Sequence, residues 1–225
     1  RLTGHLLARA GYPALVAALL NEGPPVLERW GPVATVVLAA GGSTRLGRPK
    51  QVEPVRGAPM IVRAVAQALA AAAGPVIAVT GAYAGQTAAA LDAAGLLEQV
   101  TLVHNPGWAG GLAGSLHTGL AALPPGTQAA IFLPVDQPLL DPLLLRRLVE
   151  AWRGGAQLAA PTVAGELRGA PSLFDRSFFP ALAAVSGDVG GRDLLRAHRA
   201  IVAGVPADPA WLLDVDRPED LAGVA

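Results

Sequence analysis

The sequence contains no cysteine, so neither a disulfide framework nor a catalytic thiolate is available to it. No apolar stretch approaches the roughly 20 residues that a membrane-spanning helix needs, and Arg1 and Leu2 do not begin a secretory signal peptide. The 17 basic and 17 acidic side chains balance to a net charge of zero, without a long basic run. Such a chain does not attract nucleic acid or an anionic membrane, and we expect a cytoplasmic protein without either partner.

Lysine is almost absent as well. Lys50 is the only one, and the other 16 of the 17 basic residues are arginine. Apolar residues, in contrast, are abundant: 52% of the 225 residues are hydrophobic. This is enough for one α/β domain with a substantial core. A single lysine in a chain whose composition favours arginine is therefore informative about the segment that contains it.

The chain divides into two parts near residue 33. Residues 1–33 contain several prolines that oppose regular structure and predict a helical tail or linker. Since the segment has no initiator methionine, we expect it to be the end of an upstream fused domain. Residues 34–225 alternate apolar strands with helices, which predicts a mainly parallel sheet covered by helices on both faces. Ligands bind such sheets at the carboxyl ends of the strands.

The order of the elements follows from the apolar runs and turn residues. The predicted strands are residues 34–40, 75–81, 100–104, 129–136, 157–163, 201–207 and 211–216, with short strands around a turn within residues 165–179. The predicted helices begin at or near residues 59, 84, 115, 142, 178 and 190. Asp141 is the expected N-cap of the helix that has Pro142 at its first position.

A glycine loop, VVLAAGGSTRLGRPKQ at residues 36–51, follows the first predicted strand. It lacks the G-x-G-x-x-G dinucleotide fingerprint, and Arg48 and Pro49 stand where a P-loop has Lys and Ser or Thr. Its backbone N–H groups can still face anionic oxygens, beside the charges of Arg45 and Lys50. We interpret the loop as a phosphate site. The alternative is that Lys50 is an ordinary surface residue and the glycines only turn the chain.

Carboxylates follow two later strands. Asp136 comes directly after a buried strand, at the same edge of the sheet as the glycine loop. Asp214 and Asp216 alternate along a predicted strand, so they point the same way, and Asp216 is nearer the strand end. Mg²⁺ prefers oxygen ligands and usually takes one or two carboxylates plus substrate phosphates. We predict Asp136 and Asp216 as the metal ligands. Alternatively, Asp136 stabilises a turn and Asp214 is structural.

A second glycine-rich loop, NPGWAGGLAGSLHTGL, precedes a predicted helix. Gly111 would allow close approach of a base or ribose, and Ser115 would cap the helix or bind a ligand hydroxyl. Trp108 would wall the pocket or simply pack. The segment SGDVGGRDLL supplies Arg192, a cation that could meet a second substrate, although a capped turn explains this segment equally well.

These segments resemble a known family. LAAGGSTRLGRPK resembles the nucleotidyltransferase signature L-A-A-G-x-S-x-R-M/L-G-x-x-K. GGLAGSLHTGL, DQP, GDVGGRDLL and DVDRPEDL then occur in the order seen in the molybdenum cofactor cytidylyltransferase-like group of the MobA-like NTP transferases. The resemblance covers about residues 34–222. Where this group typically has Gly-His-Pro, the chain has Gly169, Ala170 and Pro171, a departure that bears on the acceptor.

The resemblance implies a three-layer α/β fold like that of the nucleotide-diphospho-sugar transferases, with a mixed sheet and one late antiparallel strand. It also implies Mg²⁺-dependent transfer of CMP from CTP to the phosphate of molybdopterin, a phosphorylated pterin cofactor, with release of pyrophosphate. The alternatives are a guanylyltransferase, a sugar-phosphate nucleotidylyltransferase, or a non-catalytic chaperone that carries nucleotide or cofactor to a molybdoenzyme.

The resemblance and the motifs together assign the site residues. The expected catalytic residues are Arg45, Lys50 and Asp136, and the expected metal ligands are Asp136 and Asp216. The residues expected to surround the nucleotide are Leu38, Ala39, Ala40, Gly41, Gly42, Gly81, Gly111 and Ser115.

Overall fold

The computed structural model describes residues 29–224, which contain ten strands and six α-helices joined by loops and short 3₁₀ turns. The strands are β1 Val33–Ala39, β2 Pro54–Val55, β3 Ala58–Pro59, β4 Val76–Thr80, β5 Thr101–His104, β6 Ala129–Pro134, β7 Leu158–Val163, β8 Glu166–Leu167, β9 Ser172–Asp175 and β10 Val202–Pro206. The helices are α1 Met60–Ala71, α2 Ala84–Ala93, α3 Leu112–Ala121, α4 Pro142–Arg153, α5 Phe179–Ala183 and α6 Gly191–Ala197.

Eight strands form one mixed sheet in the order β10-β7-β9-β6-β1-β4-β5, with β8 paired to β7. The strands β6, β1, β4 and β5 are parallel to one another, and β10 is parallel to β7. β9 lies antiparallel between β6 and β7, with Ser172 opposite Phe132. The remaining two strands, β2 and β3, form a separate two-stranded hairpin. The expected mixed sheet with a late antiparallel strand, β9, is confirmed, and the two-residue β8 is a second strand antiparallel to β7.

Apolar side chains fill both faces of this sheet. On one face, α1, α2 and α4 cover the sheet through buried side chains such as Ile61, Leu91 and Leu148. On the other face, α3, α5 and α6 pack through Leu116, Leu182 and Leu195. Strands buried on both faces read as continuous apolar runs, which is why β1, β4 and β6 were visible in the sequence. The three-layer α/β architecture is confirmed.

Several local predictions are confirmed or corrected. Asp141 Oδ1 accepts a hydrogen bond from the Leu143 amide at 2.8 Å, so it is the N-cap of α4. The helix expected from Ser115 begins three residues earlier, at Leu112. The strand predicted at residues 211–216 is wrong, because Pro209–Leu212 form a 3₁₀ turn and the chain beyond it pairs with no strand.

The predicted tail at residues 1–33 lies, as far as residue 28, outside the described residues. Residues 29–32 contact the domain: the Arg29 amide donates to the Arg153 carbonyl at 3.0 Å, and the Pro32 carbonyl accepts from the Gln128 amide at 2.9 Å. β1 begins at Val33, one residue before the predicted boundary. Within residues 29–224, no helix combines the length and the apolar character needed to cross a membrane.

Candidate active site

The carboxyl ends of β1 and β6 open into a cleft of about 1090 Å³. These two strands are neighbours, so the segments that follow them meet at one edge of the sheet. The glycine loop after β1 forms one wall, and the start of α3 and the segments around residues 168–172 and 209–216 form the others. The three separated motifs therefore converge as the sequence predicts.

The glycine loop is held by Gln51, a residue that the sequence did not single out. Gln51 is fully buried, and its Nε2 donates to the carbonyls of Ala39 at 2.9 Å and Gly41 at 2.7 Å. Ser43 Oγ donates to Gln51 Oε1 at 3.3 Å and accepts from the Lys50 amide at 3.0 Å. This network fixes the loop and sets the backbone from which the Lys50 side chain reaches the cleft.

Lys50 bridges two carboxylates. Its Nζ donates to Asp136 Oδ2 at 2.9 Å and to Asp216 Oδ1 at 2.6 Å, and its side chain is only 13% exposed. Burial alone would lower the pKa of Lys50, but the charge of Asp136 and the hydrogen bonds to both carboxylates outweigh it and raise that pKa. The hydrogen bond from Lys50 likewise holds the pKa of Asp216 below its usual range, against the opposing effect of burial. Lys50 and Asp216 are thus held charged at neutral pH.

Arg45 reaches the same acid from outside. Its Nη1 lies 3.3 Å from Asp216 Oδ2, but its side chain is 71% exposed, and Arg45 does not line the cleft itself. An exposed pair of this kind contributes little to stability, about 0–1 kcal/mol. Arg45 is therefore free to leave Asp216 for an anionic ligand at the cleft mouth.

Asp214 does not act together with Asp216 as the predicted strand implied. Its Oδ1 accepts from Gln137 Nε2 at 3.1 Å, whereas Asp216 faces Lys50. Partial desolvation by the surrounding protein, with the nearby charge of Asp136, raises the pKa of Asp214 to about 6. The intervening Val215 is fully buried, and its amide donates to the Asp136 carbonyl at 2.9 Å, which ties the two acidic segments together.

Glycines allow close packing at the wall that is formed by the start of α3. A Cβ at Gly42 would lie 2.7 Å from Trp108 Cζ3, so the absence of a side chain lets the indole lie against the glycine loop. Gly111 has a φ of +108°, and a Cβ there would lie 2.4 Å from the Gly187 carbonyl oxygen. Ser115 is buried, and its Oγ accepts from Asn105 Nδ2 at 3.1 Å. Asn105 is a second polar residue that the sequence analysis did not identify.

Most of the predicted site residues meet in the cleft. Those that line it are Leu38, Ala40, Gly41, Gly42, Lys50, Gly111, Ser115, Asp136 and Asp216. Ala39 points into the core, and Gly81 lies behind the wall, where a Cβ would be 2.4 Å from the Ala40 carbonyl oxygen and 2.6 Å from Trp108 Cβ. These two residues support the cleft without lining it.

The donor set suits a hard divalent cation. The Asp136 and Asp216 oxygens both bond to the same ammonium, so the two carboxylates converge on one point, and carboxylates are the ligands that Mg²⁺ takes together with substrate phosphates. Within residues 29–224, no group of three or more His, Cys, Asp or Glu side chains could hold a metal ion. Oxygens of a substrate would have to complete the coordination.

Comparison with known proteins identifies the family of the chain. The sequence profile of the MobA-like NTP transferase domain matches residues 35–202. The chain belongs to this family. It is a nucleotidyltransferase of the MobA-like superfamily, and the matched segment contains the glycine loop, Asp136 and both glycine-rich turns.

Curated relatives of the chain have diverse activities. Nicotine blue oxidoreductase of Paenarthrobacter nicotinovorans is 34% identical over 84% of this chain and 94% of that protein. A 2-C-methyl-D-erythritol 4-phosphate cytidylyltransferase of Streptomyces avermitilis is 32% identical over 58% of this chain and 53% of its own length. A molybdenum cofactor guanylyltransferase of Rhizobium meliloti is 32% identical over 59% of this chain and 58% of its own length. The chain thus spans little more than half of the last two.

Solved structures share the fold. Rv0371c from Mycobacterium tuberculosis H37Rv is 30% identical, with a TM-score of 0.75 over 85% of this chain and 96% of that one. A complex of the same protein with manganese has a TM-score of 0.74 and 28% identity over 87% of this chain and 98% of that one.

Proposed function

We propose that this nucleotidyltransferase transfers CMP from CTP to the phosphate of molybdopterin, with Mg²⁺ bound between Asp136 and Asp216. The observation that carries the transfer chemistry is the Lys50 ammonium, held between those two carboxylates beside a glycine loop. The motifs at residues 34–222 resemble the cytidylyltransferase-like group and support the choice of CTP and molybdopterin. The manganese complex of Rv0371c supports a divalent cation.

The residues present suit attack by a phosphate. An oxygen of the acceptor phosphate bonds to the α-phosphorus, the bond from that phosphorus to the bridging oxygen of the β-phosphate breaks, and pyrophosphate leaves with the electron pair. The attacking oxygen is already an anion at neutral pH, so no general base is required. In agreement, no histidine or cysteine is among the described residues that line the cleft.

The chain's own groups orient the reactants and neutralise charge. The amides of the glycine loop face the phosphate oxygens, and the Lys50 ammonium moves from its carboxylates to the oxygens that gain charge as pyrophosphate forms. Arg45 closes on the triphosphate from the exposed side. Bound Mg²⁺ would supply further neutralisation of the phosphate charge.

Pyrophosphate release tests this proposal. The purified chain is incubated with each of the four NTPs, Mg²⁺ and molybdopterin, and we expect the highest rate with CTP. Lys50→Ala should lose about 10²- to 10³-fold in turnover, as deletion of a key electrostatic donor does. Arg48→Ala is the matched control, because Arg48 lies in the same loop but pairs with Glu53 at 2.7 Å outside the cleft. Equal turnover for Lys50→Ala and the wild type would refute the assignment.

The same assay separates the alternatives. Release with GTP in preference to CTP would make the chain a guanylyltransferase, and release with a sugar 1-phosphate would indicate nucleotide-sugar synthesis. CTP binding without pyrophosphate release, in the presence of molybdopterin and Mg²⁺, would favour the carrier role for a molybdoenzyme.

One observation favours a second function. One relative, which is 34% identical over 84% of this chain and 94% of its own length, is named an oxidoreductase. The chain has no cysteine, so a thiol cannot carry the electrons, and a redox cofactor or cosubstrate would have to supply them. Turnover of nicotine blue together with NADH or NADPH, unchanged in Lys50→Ala, would support this second function over nucleotidyl transfer.

A further inference from the structure

Two arginines at the far side of the cleft have no acidic partner. Arg168 and Arg192 both line the cleft and are exposed. Within residues 29–224, neither belongs to an ion pair, and the acids next to them, Glu166 and Asp193, pair with other arginines at 3.8 and 3.2 Å. Lys50, the third cation that lines the cleft, bonds to two carboxylates, whereas the two guanidinium groups are not paired with the other lining acids of the described chain, Asp188 and Asp214, and are available to an anionic ligand.

Glycines set the position of Arg192. A Cβ at Gly169 would lie 2.8 and 2.9 Å from Arg192 Cγ and Cδ, so the alkyl chain of Arg192 lies directly across the backbone at residue 169. A Cβ at Gly191 would lie 2.9 Å from Phe174 Cζ, so α6 begins in close contact with the sheet. Because Arg168 directly precedes Gly169, the Arg192 side chain passes close to the backbone from which Arg168 extends.

This region adjoins the reaction centre. β9 is antiparallel to β6 with Ser172 opposite Phe132, so the residues before Ser172 run beside those that lead to Asp136. Gln137 Nε2 confirms the contact, since it lies 3.4 Å from the Ala170 carbonyl oxygen. The arginines therefore lie on the wall opposite the glycine loop.

Apolar side chains surround the rest of this wall. Leu112 and Leu213 are each 41% exposed although they line the cleft, and Pro209 and Leu212 line it beside them. Leu213 belongs to the segment after β10, whose Ala207 amide donates to the Thr162 carbonyl at 3.0 Å. The Arg168 amide donates to the neighbouring Pro161 carbonyl at 2.8 Å, so Leu213 and Arg168 lie at the same end of β7.

We propose that Arg168 and Arg192 form a subsite for the phosphate of the acceptor, and that the leucines select an acceptor whose body is a flat ring in preference to a hydroxylated sugar. The proposal rests on the proposed transferase function and identifies the class of its second substrate. The planar fork of arginine matches phosphate oxygens and leaves the Lys50 site to the triphosphate. A sugar phosphate would place its hydroxyls against Leu112 and Leu213 and lose hydrogen bonds to water.

Direct binding tests the subsite without relying on turnover. Phenyl phosphate and glucose 1-phosphate are titrated calorimetrically into the full chain. We expect phenyl phosphate to bind more tightly, and Arg168→Ala and Arg192→Ala each to weaken it by about 10- to 100-fold, the value of a charged hydrogen bond. Arg196→Ala is the matched control, because Arg196 lies on the same helix, carries the same charge and pairs with Asp193 away from the cleft. Binding to this variant should not change.

Steady-state kinetics test whether the subsite binds the acceptor during the reaction. With the wild type active, Arg168→Ala and Arg192→Ala should raise the KM for molybdopterin by a similar factor and leave the KM for CTP within about twofold. Four results would each overturn the subsite. The wild type and the double variant could bind phenyl phosphate equally, or the wild type could fail to bind it. Glucose 1-phosphate could bind more tightly, or the substitutions could raise the KM for CTP. Phenyl phosphate binding that depends on both arginines, without pyrophosphate release by the wild type, would support the subsite and refute the transferase function.

Discussion

Replacement of Lys50 by methionine should strengthen the binding of a divalent cation when no nucleotide is present. In the structure the ammonium occupies the point where Asp136 and Asp216 converge, at 2.9 and 2.6 Å. A metal ion that uses these oxygens must displace the ammonium or share the carboxylates with it, and two cations repel each other. Methionine keeps a similar length of apolar chain but removes the competing charge.

The size of the effect follows from the bonds that must break. A hydrogen bond between charged groups contributes about 1.5–3 kcal/mol, and a metal ion must break at least one of the two. Since 1.4 kcal/mol corresponds to a tenfold change in affinity, the Kd for the metal should fall by about 10- to 100-fold in Lys50→Met. Affinity for CTP should change in the opposite direction, because the triphosphate loses the ammonium that would contact it.

Electron paramagnetic resonance of free Mn²⁺ measures this binding directly. Titrations at pH 8 compare the wild type, Lys50→Met and the control Arg48→Met, with and without CTP, after melting curves confirm that each variant is folded. Lys50 is charged at this pH because its pKa is raised. If Lys50→Met binds Mn²⁺ no better than the wild type without nucleotide, the ammonium does not compete for the metal ligands and the reasoning fails.

Three further predictions concern the scaffold of the cleft. Gly81→Ala should lower the free energy of unfolding by about 1–3 kcal/mol, because its Cβ would lie 2.4 Å from the Ala40 carbonyl oxygen. Gly85→Ala is the control and should not lower it, since a Cβ there would have nothing within 4 Å. Urea titration measures the free energy of unfolding of both variants. Gln51→Met should cost a similar amount and weaken CTP binding measured by calorimetry, since two loop carbonyls lose their donor. Asp214→Asn should stabilise the fold by about 1 kcal/mol above pH 6 and by almost nothing near pH 4. With its pKa raised from 3.8 to about 6, the folded chain keeps this proton while the unfolded chain releases it, so the destabilisation grows between these two values, and solvent at the exposed side of Asp214 reduces it. An equal gain at both pH values would contradict this.

The convergence of Lys50 and Asp136 was predictable from the sequence for a topological reason. Both follow buried apolar strands, and the carboxyl ends of parallel strands meet at one edge of the sheet. No knowledge of side-chain contacts is needed for that inference. The same reasoning could not identify Gln51, because its partners, the carbonyls of Ala39 and Gly41, lie 12 and 10 residues upstream and meet it only after the loop has closed.

The strand wrongly predicted at residues 211–216 shows that an alternating sequence pattern carries information about burial and not about strand pairing. Asp214, Val215 and Asp216 do alternate between exposed or half-buried and buried positions. However, the segment crosses the end of the sheet and makes one backbone bond to Asp136 instead of a ladder. The alternation of acidic and apolar residues therefore predicted correctly that Val215 is buried. It could not predict backbone pairing, because pairing requires the free edge of a neighbouring strand. Because the segment is not a strand, Asp214 bonds to Gln137 while Asp216 bonds to Lys50.

The single lysine of the chain is explained by the same geometry. A planar guanidinium bonds best to one carboxylate through two parallel hydrogen bonds, whereas a compact ammonium can bond to two carboxylates that converge from different segments. Asp136 follows β6 and Asp216 lies 80 residues later, so Lys50 holds together two distant parts of the chain. Under the proposed function, both acids would lose the ammonium to a bound triphosphate. Because the ammonium can leave those acids for phosphate oxygens without a fixed plane to reorient, a chain that uses arginine elsewhere has a physical reason to keep lysine here.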